Sequence, residues 1–307
     1  EEGMAQRQQD KGRQAPRGAV RIGISGWTYA PWRGVFYPED LRQKDELAHA
    51  SRRFSTIEIN GTFYSLQKPE SFRKWAAETP DDFVFSVKAP RYITHIRRLK
   101  DAEAPVANFF ASGLLALGKK LGPILWQLPP NFRFDPERIE NFLKLLPKDT
   151  AAAVDVARNH DDRMKGRSWF EIGQKRPLRH AMEIRHESFR NPEFIEILRR
   201  HDVALVCADT PQWPRLMDET SDFVYCRLHG AEELYASGYD DESLDHWAAR
   251  IRAWREGRPP PRSDRVIPRS GRDAPRDVFV YFDNDVKVRA PFDAERLRER
   301  IPGAAMP

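Results

Sequence analysis

The chain has 307 residues, 40% hydrophobic and 32% charged, which excludes fibrous and fully disordered classes and allows one large α/β barrel or two ordinary domains. The formal net charge of +5 is concentrated: residues 1–20 carry net +1 and residues 257–277 net +3, so the remaining body is almost neutral and no basic nucleic-acid stripe is required. No run approaches the roughly 18 uninterrupted apolar residues of a membrane-spanning helix, and residues 1–18 lack the apolar stretch of a secretory signal.

Residues 1–20 read as a disordered polar tail ahead of a single domain over 21–307. Strands and helices then alternate. The first strand is expected at 21–25, followed by a loop crowded with Trp27, Tyr29, Trp32, Phe36 and Tyr37. A helix over 41–53 leads to a second strand at 55–60, and Pro69 opens a helix carrying Trp75. The third strand is 83–88, a long helix spans 102–121, and the fourth strand, 122–128, stops at Pro129-Pro130. Asp135 caps the next helix. Residues 148–179 predict an irregular stretch with a helix near 167–175. The second half gives strands at 180–185, 203–208, 223–229 and 278–283, with helices at 192–201, 240–256 and 293–300. Residues 257–277, rich in proline and arginine, read as a disordered or loosely packed insertion. Eight strands with helical connections predict an α/β fold of the (β/α)8 type. The alternative, a doubly wound sheet, wants a glycine-rich phosphate turn, and Ile24-Ser25-Gly26-Trp27 offers one glycine only.

The strands have an unusual second face. In 55–60, Ile57 and Ile59 lie on one side and Glu58 and Asn60 on the other, although parallel strands are normally apolar on both. Taking each polar face as inward, the interior would hold Ser25, Glu58, Asn60, Ser86, Lys88, Gln127, Glu183, Arg185, Cys207, Asp209, Arg227, His229, Tyr281 and Asp283. Cys226 would then face outward, away from Cys207, so no disulfide is expected and a reducing cytoplasm fits. One buried pair, such as Glu58 with Lys88, could be structural; polar positions on every strand point to a site at the strand C-termini.

The motifs Gly23-Ile24-Ser25-Gly26-Trp27-Thr28-Tyr29, Phe36-Tyr37-Pro38, Glu58 with Asn60, Thr62, Phe63 and Tyr64, Trp75, Thr94-His95, Gln127-Leu128-Pro129-Pro130, Glu183-Ile184-Arg185-His186, Arg227-Leu228-His229-Gly230 and Tyr281-Phe282-Asp283-Asn284 occur in order. Over roughly 20–300 the chain thereby resembles the YecE-like family, a widespread domain of unknown function. The resemblance implies a TIM-like barrel and brings no assigned reaction. Two departures stand out: Asp283, where that family often has asparagine, and the insertion before the last strand.

Three chemistries compete. The first is metal-free acid–base work on a small polar or anionic, sugar- or phosphate-like molecule. Glu58, Lys88, Glu183 and His229 would be catalytic, and Trp27, Asn60, Tyr64, Gln127, Arg185, Asp209, Arg227 and Asp283 would bind substrate. On that reading Glu183→Gln abolishes activity with melting temperature nearly unchanged or raised. The second is a divalent-metal hydrolase or isomerase, with Glu183, Asp209, His229 and Asp283 as ligands; no other cofactor is expected. The third is non-catalytic binding of nucleic acid or a protein, through loop aromatics and the arginines of 257–277.

Overall fold

The computed structural model describes residues 17–230, 232, 237–268 and 273–307. Eight parallel strands close into a barrel in chain order: β1 Val20–Ser25, β2 Thr56–Ile59, β3 Val84–Lys88, β4 Leu121–Gln127, β5 His180–Glu183, β6 Val203–Asp209, β7 Phe223–Leu228 and β8 Asp277–Phe282. Closure runs through β1 and β8, paired from Val20 with Val278 to Ile24 with Phe282. Most of the expected tail, residues 1–16, and residues 269–272 of the insertion lie outside the described residues.

The helices are α1 Glu46–Ala50, α2 Gly61–Tyr64, α3 Pro69–Glu78, α4 Glu103–Ala111, α5 Pro136–Lys144, α6 Thr150–Ala157, α7 Pro192–Arg200, α8 Asp241–Arg255 and α9 Ala290–Glu299. Caps legible in the sequence recur: the carboxylate of Asp135 accepts from the Arg138 amide at 3.1 Å, and that of Asp240 from the Ser243 amide at 2.8 Å. Four expectations change. The long helix over 102–121 breaks at Gly113, whose φ of +117° closes α4 where a Cβ would lie 2.5 Å from the Pro69 backbone. The helix expected over 41–53 shrinks to α1 with a 3-10 turn before it. Within 148–179 the α-helix is α6, capped by Asp149; residues 167–175 are irregular. The connection 210–222 between β6 and β7 carries no helix.

Residues 257–268, expected to be loosely packed, are partly anchored. Asp218, buried at the barrel wall, accepts from the amides of Val266 and Ile267 at 2.8 and 2.9 Å, and Arg265 pairs with buried Glu219.

Period-two alternation divides the strands cleanly. Leu125, Ala181, Ala204, Val206, Phe223, Tyr225, Phe279 and Tyr281 fill the lower interior, while Ile24, Ile57, Trp126, Met182 and Cys207 face the helical shell. Above the apolar layer come hydroxyls: Thr56 bonds Tyr281 at 2.8 Å and Ser86 bonds Tyr225 at 2.7 Å. The charged layer sits above these, at the strand C-termini.

Candidate functional site

Arg227 organises the charged layer. Its position on β7 follows Phe223 and Tyr225 at two-residue spacing, so its guanidinium enters the barrel axis. Nε and Nη2 donate to both oxygens of Glu58 at 3.1 and 2.8 Å, Nη1 donates to Glu183 at 2.8 Å, and Nη2 also donates to Asp283 at 2.9 Å. One cation thus bridges three carboxylates from β2, β5 and the end of β8. Arg185 adds a second cation to Glu183 at 2.7 Å, and His229 lies 3.1 Å from Asp283 and 3.6 Å from Glu183.

Two of these carboxylates, Glu183 and Asp283, are held ionised. Burial works to raise Glu183, and Arg227, Arg185 and His229 overcome it, keeping the group well below the ordinary glutamate range. Burial likewise opposes Asp283, which Arg227 and His229 hold down to about 2. Glu58 is fully buried and saturated, accepting in addition from Ser25 at 2.6 Å and Tyr225 at 2.6 Å. Four donors on one carboxylate leave it no lone pair to exchange with a ligand.

Above this network opens a cavity of about 570 Å³, lined by Trp27, Tyr29, Asn60, Tyr64, Trp75, Lys88, Arg227, Asp283 and Asp285 among others. Gly26 shapes its wall: its φ of +76° turns the chain after β1, its amide donates to Glu58 O at 2.8 Å, and a Cβ there would lie 2.6 Å from the Tyr29 hydroxyl. Trp27 meets Trp75 edge-on at 5.4 Å, Tyr64 is exposed at the rim, and Asn60 donates to Ser25 at 2.9 Å. Two amide oxygens, Asn60 Oδ1 and Gln127 Oε1, are buried with no hydrogen-bond partner among the described residues, as expected where a ligand or water completes the set.

Lys88 differs from every other cation here. Its backbone is pinned by Thr62, whose hydroxyl donates to Lys88 O at 2.6 Å. Its ammonium lies 4.1 Å from the centre of the Phe63 ring, and among the described residues no carboxylate pairs with it. Burial, then Arg227, lowers it to about 8. Asp285 is the counterpart: burial, then the negative charge of Asp283, raises it to about 7. His95, on the π-helical turn Tyr92–Ile96, falls to about 4 through burial first, then Lys88, Arg185, Arg91 and Arg98. Two groups poised near neutrality in one cavity are the pattern of a functional site.

The structure therefore brings together Glu58, Glu183, Arg185, Arg227, His229 and Asp283 in the network, and Trp27, Asn60, Tyr64 and Lys88 around the cavity. Gln127 is buried at the end of β4, its Cα paired with that of Glu183. Asp209 is set apart. The inward face of β6 is Ala204 and Val206, so Cys207 and Asp209 lie on the other face; Asp209 accepts from Arg215 at 2.9 Å and from Trp247 of α8 at 3.3 Å. Cys207 is likewise outward, on the same side as Cys226 and in register with it, correcting the opposite-face expectation; both are free thiols. The expected Glu58–Lys88 pair is replaced by Glu58–Arg227. As a metal set, Glu183, Asp209, His229 and Asp283 do not converge: Asp209 points to α8 and Arg227 bridges the other two carboxylates. No group of His, Cys, Asp and Glu among the described residues is arranged to hold an ion. Of the arginines in 257–277, Arg258 pairs with Glu256, Arg262 with His246, Arg265 with Glu219, and Arg276 with the Ser221 and Ala274 carbonyls. Arg269 and Arg272 lie outside the described residues.

Asp285 escapes the sequence reading because it lies on the turn after β8, beyond the reach of strand alternation, so the strand pattern carries no signal for it. No helix among the described residues is long and apolar enough to cross a membrane.

Comparison with known proteins agrees with this architecture. The chain is 27% identical over 189 residues to the UPF0759 protein YecE of Escherichia coli, covering 57% of this chain and 65% of that protein. It is 28% identical over 158 residues to the UPF0759 protein YunF of Bacillus subtilis, covering 49% of this chain and 52% of that protein. The aligned segments thus span less than two thirds of either relative. A DUF72 family protein of Thermotoga maritima shares the fold with a TM-score of 0.65 at 24% identity, over 92% of this chain and 98% of the other. One from Enterococcus faecalis gives 0.62 at 15% identity, over 93% and 98%. The family model described as "Protein of unknown function DUF72" matches residues 21–306; the chain, a closed eight-stranded α/β barrel, belongs to that family.

Proposed function

We propose that this protein is an enzyme performing metal-free acid–base chemistry on a small polar or anionic molecule bound in the cavity above Arg227. The observation that carries the reading is the pair Lys88 and Asp285, two cavity-lining groups displaced toward each other across neutrality, to about 8 and about 7. Between those values Asp285 is ionised and Lys88 charged, so a general base and a general acid coexist in their working forms. The reaction class that fits is abstraction of a proton beside a polarised oxygen, as in isomerases and lyases. Asp285 removes the proton and the Lys88 ammonium supports the oxygen where charge develops.

Glu58 and Glu183, expected from the sequence to be catalytic, support this differently. They neutralise Arg227 and Arg185 and fix the floor on which the cavity rests. The aromatic wall of Trp27, Tyr29 and Trp75 and the unpartnered amide oxygen of Asn60 favour a ligand with a flat or ring-like face and hydroxyl groups.

The test is exchange of carbon-bound protons in D2O, followed by NMR over a panel of hydroxy-aldehydes, hydroxy-ketones, keto acids and their phosphates, with and without EDTA. The expected result is exchange on one compound class, unaffected by EDTA and bell-shaped in pH between about 7 and about 8. It should fall by about 100-fold or more in Asp285→Asn. Absence of exchange across the panel, or exchange that survives Asp285→Asn, overturns the proposal.

A further inference from the structure

Within the reading above, on which this step rests, the structure also says what kind of support Lys88 gives. An ammonium meant only to hold an anion is best left charged beside a carboxylate, and among the described residues the other cations of the network are paired in that way: Arg227 with three carboxylates, Arg185 with Glu183. Lys88 is treated otherwise. It stands at the C-terminal end of β3, is 9% exposed, and rests on the Phe63 ring with no carboxylate partner among the described residues. It lines the open cavity together with Arg227, Asp283 and Asp285. A buried amine on an apolar platform, facing a cavity and next to a fixed guanidinium, is arranged as a nucleophile.

We infer that Lys88 forms an imine with the carbonyl group of an aldehyde or ketone substrate, making the reaction covalent. The neutral Nζ adds to the carbonyl carbon and one of its two protons passes to the carbonyl oxygen, giving a neutral carbinolamine. That hydroxyl takes up one proton and leaves as water, and the nitrogen, keeping its other proton, forms the C=N bond of a protonated imine. No oxidant or reductant is required. The protonated imine then withdraws electrons from the adjacent carbon, whose proton passes to Asp285; hydrolysis returns the amine. Asp285 lines the same cavity and also holds a protonated fraction near neutral pH, so it can serve the dehydration step as a donor. The charges facing Lys88 are Arg227, Glu58, Asp283 and Glu183; the three carboxylates are all bound to Arg227, which leaves the amine its freedom to react.

The test uses the full chain with glycolaldehyde, dihydroxyacetone and pyruvate as separate probes, each with sodium cyanoborohydride to trap an imine as a stable secondary amine. Intact mass and peptide mapping then locate the adduct. The expected result is one adduct, on Lys88, formed at least about tenfold faster than on exposed lysines such as Lys44 and Lys119, since a lowered amine is far more often neutral at pH 7.5. Adduct spread over surface lysines with none enriched at Lys88 overturns the inference. Lys88→Arg, which keeps the charge and cannot form an imine, should abolish exchange; exchange retained in a folded Lys88→Arg protein overturns it as well. The two levels separate cleanly. Proton exchange in the wild type without a trapped Lys88 adduct leaves acid–base chemistry standing and removes the imine, whereas absence of exchange removes the acid–base reading itself.

Discussion

Asp285 is a carboxylate that the fold holds against its own preference. Burial and the neighbouring negative charge of Asp283 raise it to about 7, so its folded-state value lies above its unfolded one. A raised group gives stability that is fully present below the unfolded value and is lost as pH rises through the folded one. At pH 8 the native chain therefore bears the whole destabilisation. Asp285→Asn removes it, and the expected gain is on the order of 2 kcal/mol after discounting for partial exposure, or about 3 °C in Tm for a chain of this length. Thermal melts of both proteins at pH 8 and pH 4 check this: the gain should be present at pH 8 and vanish near pH 4. Equal melting temperatures at pH 8 would mean that Asp285 is not perturbed, and the acid–base pair would lose one member. Stability gained where activity is lost is the usual sign of a group kept for function. Alternation made Lys88, Glu183, Arg227 and Asp283 legible in the sequence as inward residues. It could not tell that Arg227 would collect three carboxylates and leave Lys88 without one, because that choice depends on distances across the barrel.

At the scale of elements, strands were easy to read and connections were not. A strand's period of two is fixed by its own backbone, so β7 and β8 fell where Arg227 and Tyr281 demanded. The exception is β6, where Cys207 and Asp209 looked polar enough to be inward, yet small Ala204 and Val206 fill the crowded axis. Connections fail differently, since their order comes from partners distant in sequence. Residues 264–267 have the composition of a loose insertion but are fastened to Asp218 through two backbone amides. Asp218→Ala removes both acceptors and leaves the Val266 and Ile267 amides unsatisfied in a part-buried position, which costs about 1–3 kcal/mol. Limited trypsin digestion should then cut at Arg262 or Arg265 faster than in the wild type, with hydrogen exchange accelerated over 264–268 and unchanged in β2 and β3. Unaltered cleavage would show that Arg265 with Glu219 suffices to hold the segment.

For the whole molecule, the charged layer does the work that an apolar plug would do in a purely structural barrel. Closure of β1 on β8 leaves no free sheet edge, and Arg227 ties β2, β5 and the end of β8 across the lumen, so loss of one carboxylate is felt by the entire barrel. Such a pair broken on one side leaves an uncompensated buried charge, which costs about 3 kcal/mol or more. That reverses the expectation for Glu183→Gln drawn from the sequence alone. With Arg227 and Arg185 both donating to Glu183, the substitution should lower the unfolding free energy at pH 7 by about that amount. The pH dependence gives an independent check. Asp283 and Glu183 have folded values below their unfolded ones, so each contributes stability present above the unfolded value and lost as pH falls through the folded one. For Asp283 the window runs from 3.8 down to about 2 and is worth about 2 kcal/mol. Urea unfolding of the wild type should accordingly show a steep decline below pH 4, and Glu183→Gln should start lower and decline less, having one fewer carboxylate to protonate. Parallel acid limbs in the two proteins would mean that Glu183 is not held ionised by the arginines, and the account of Arg227 as the tie across the barrel would fail with it.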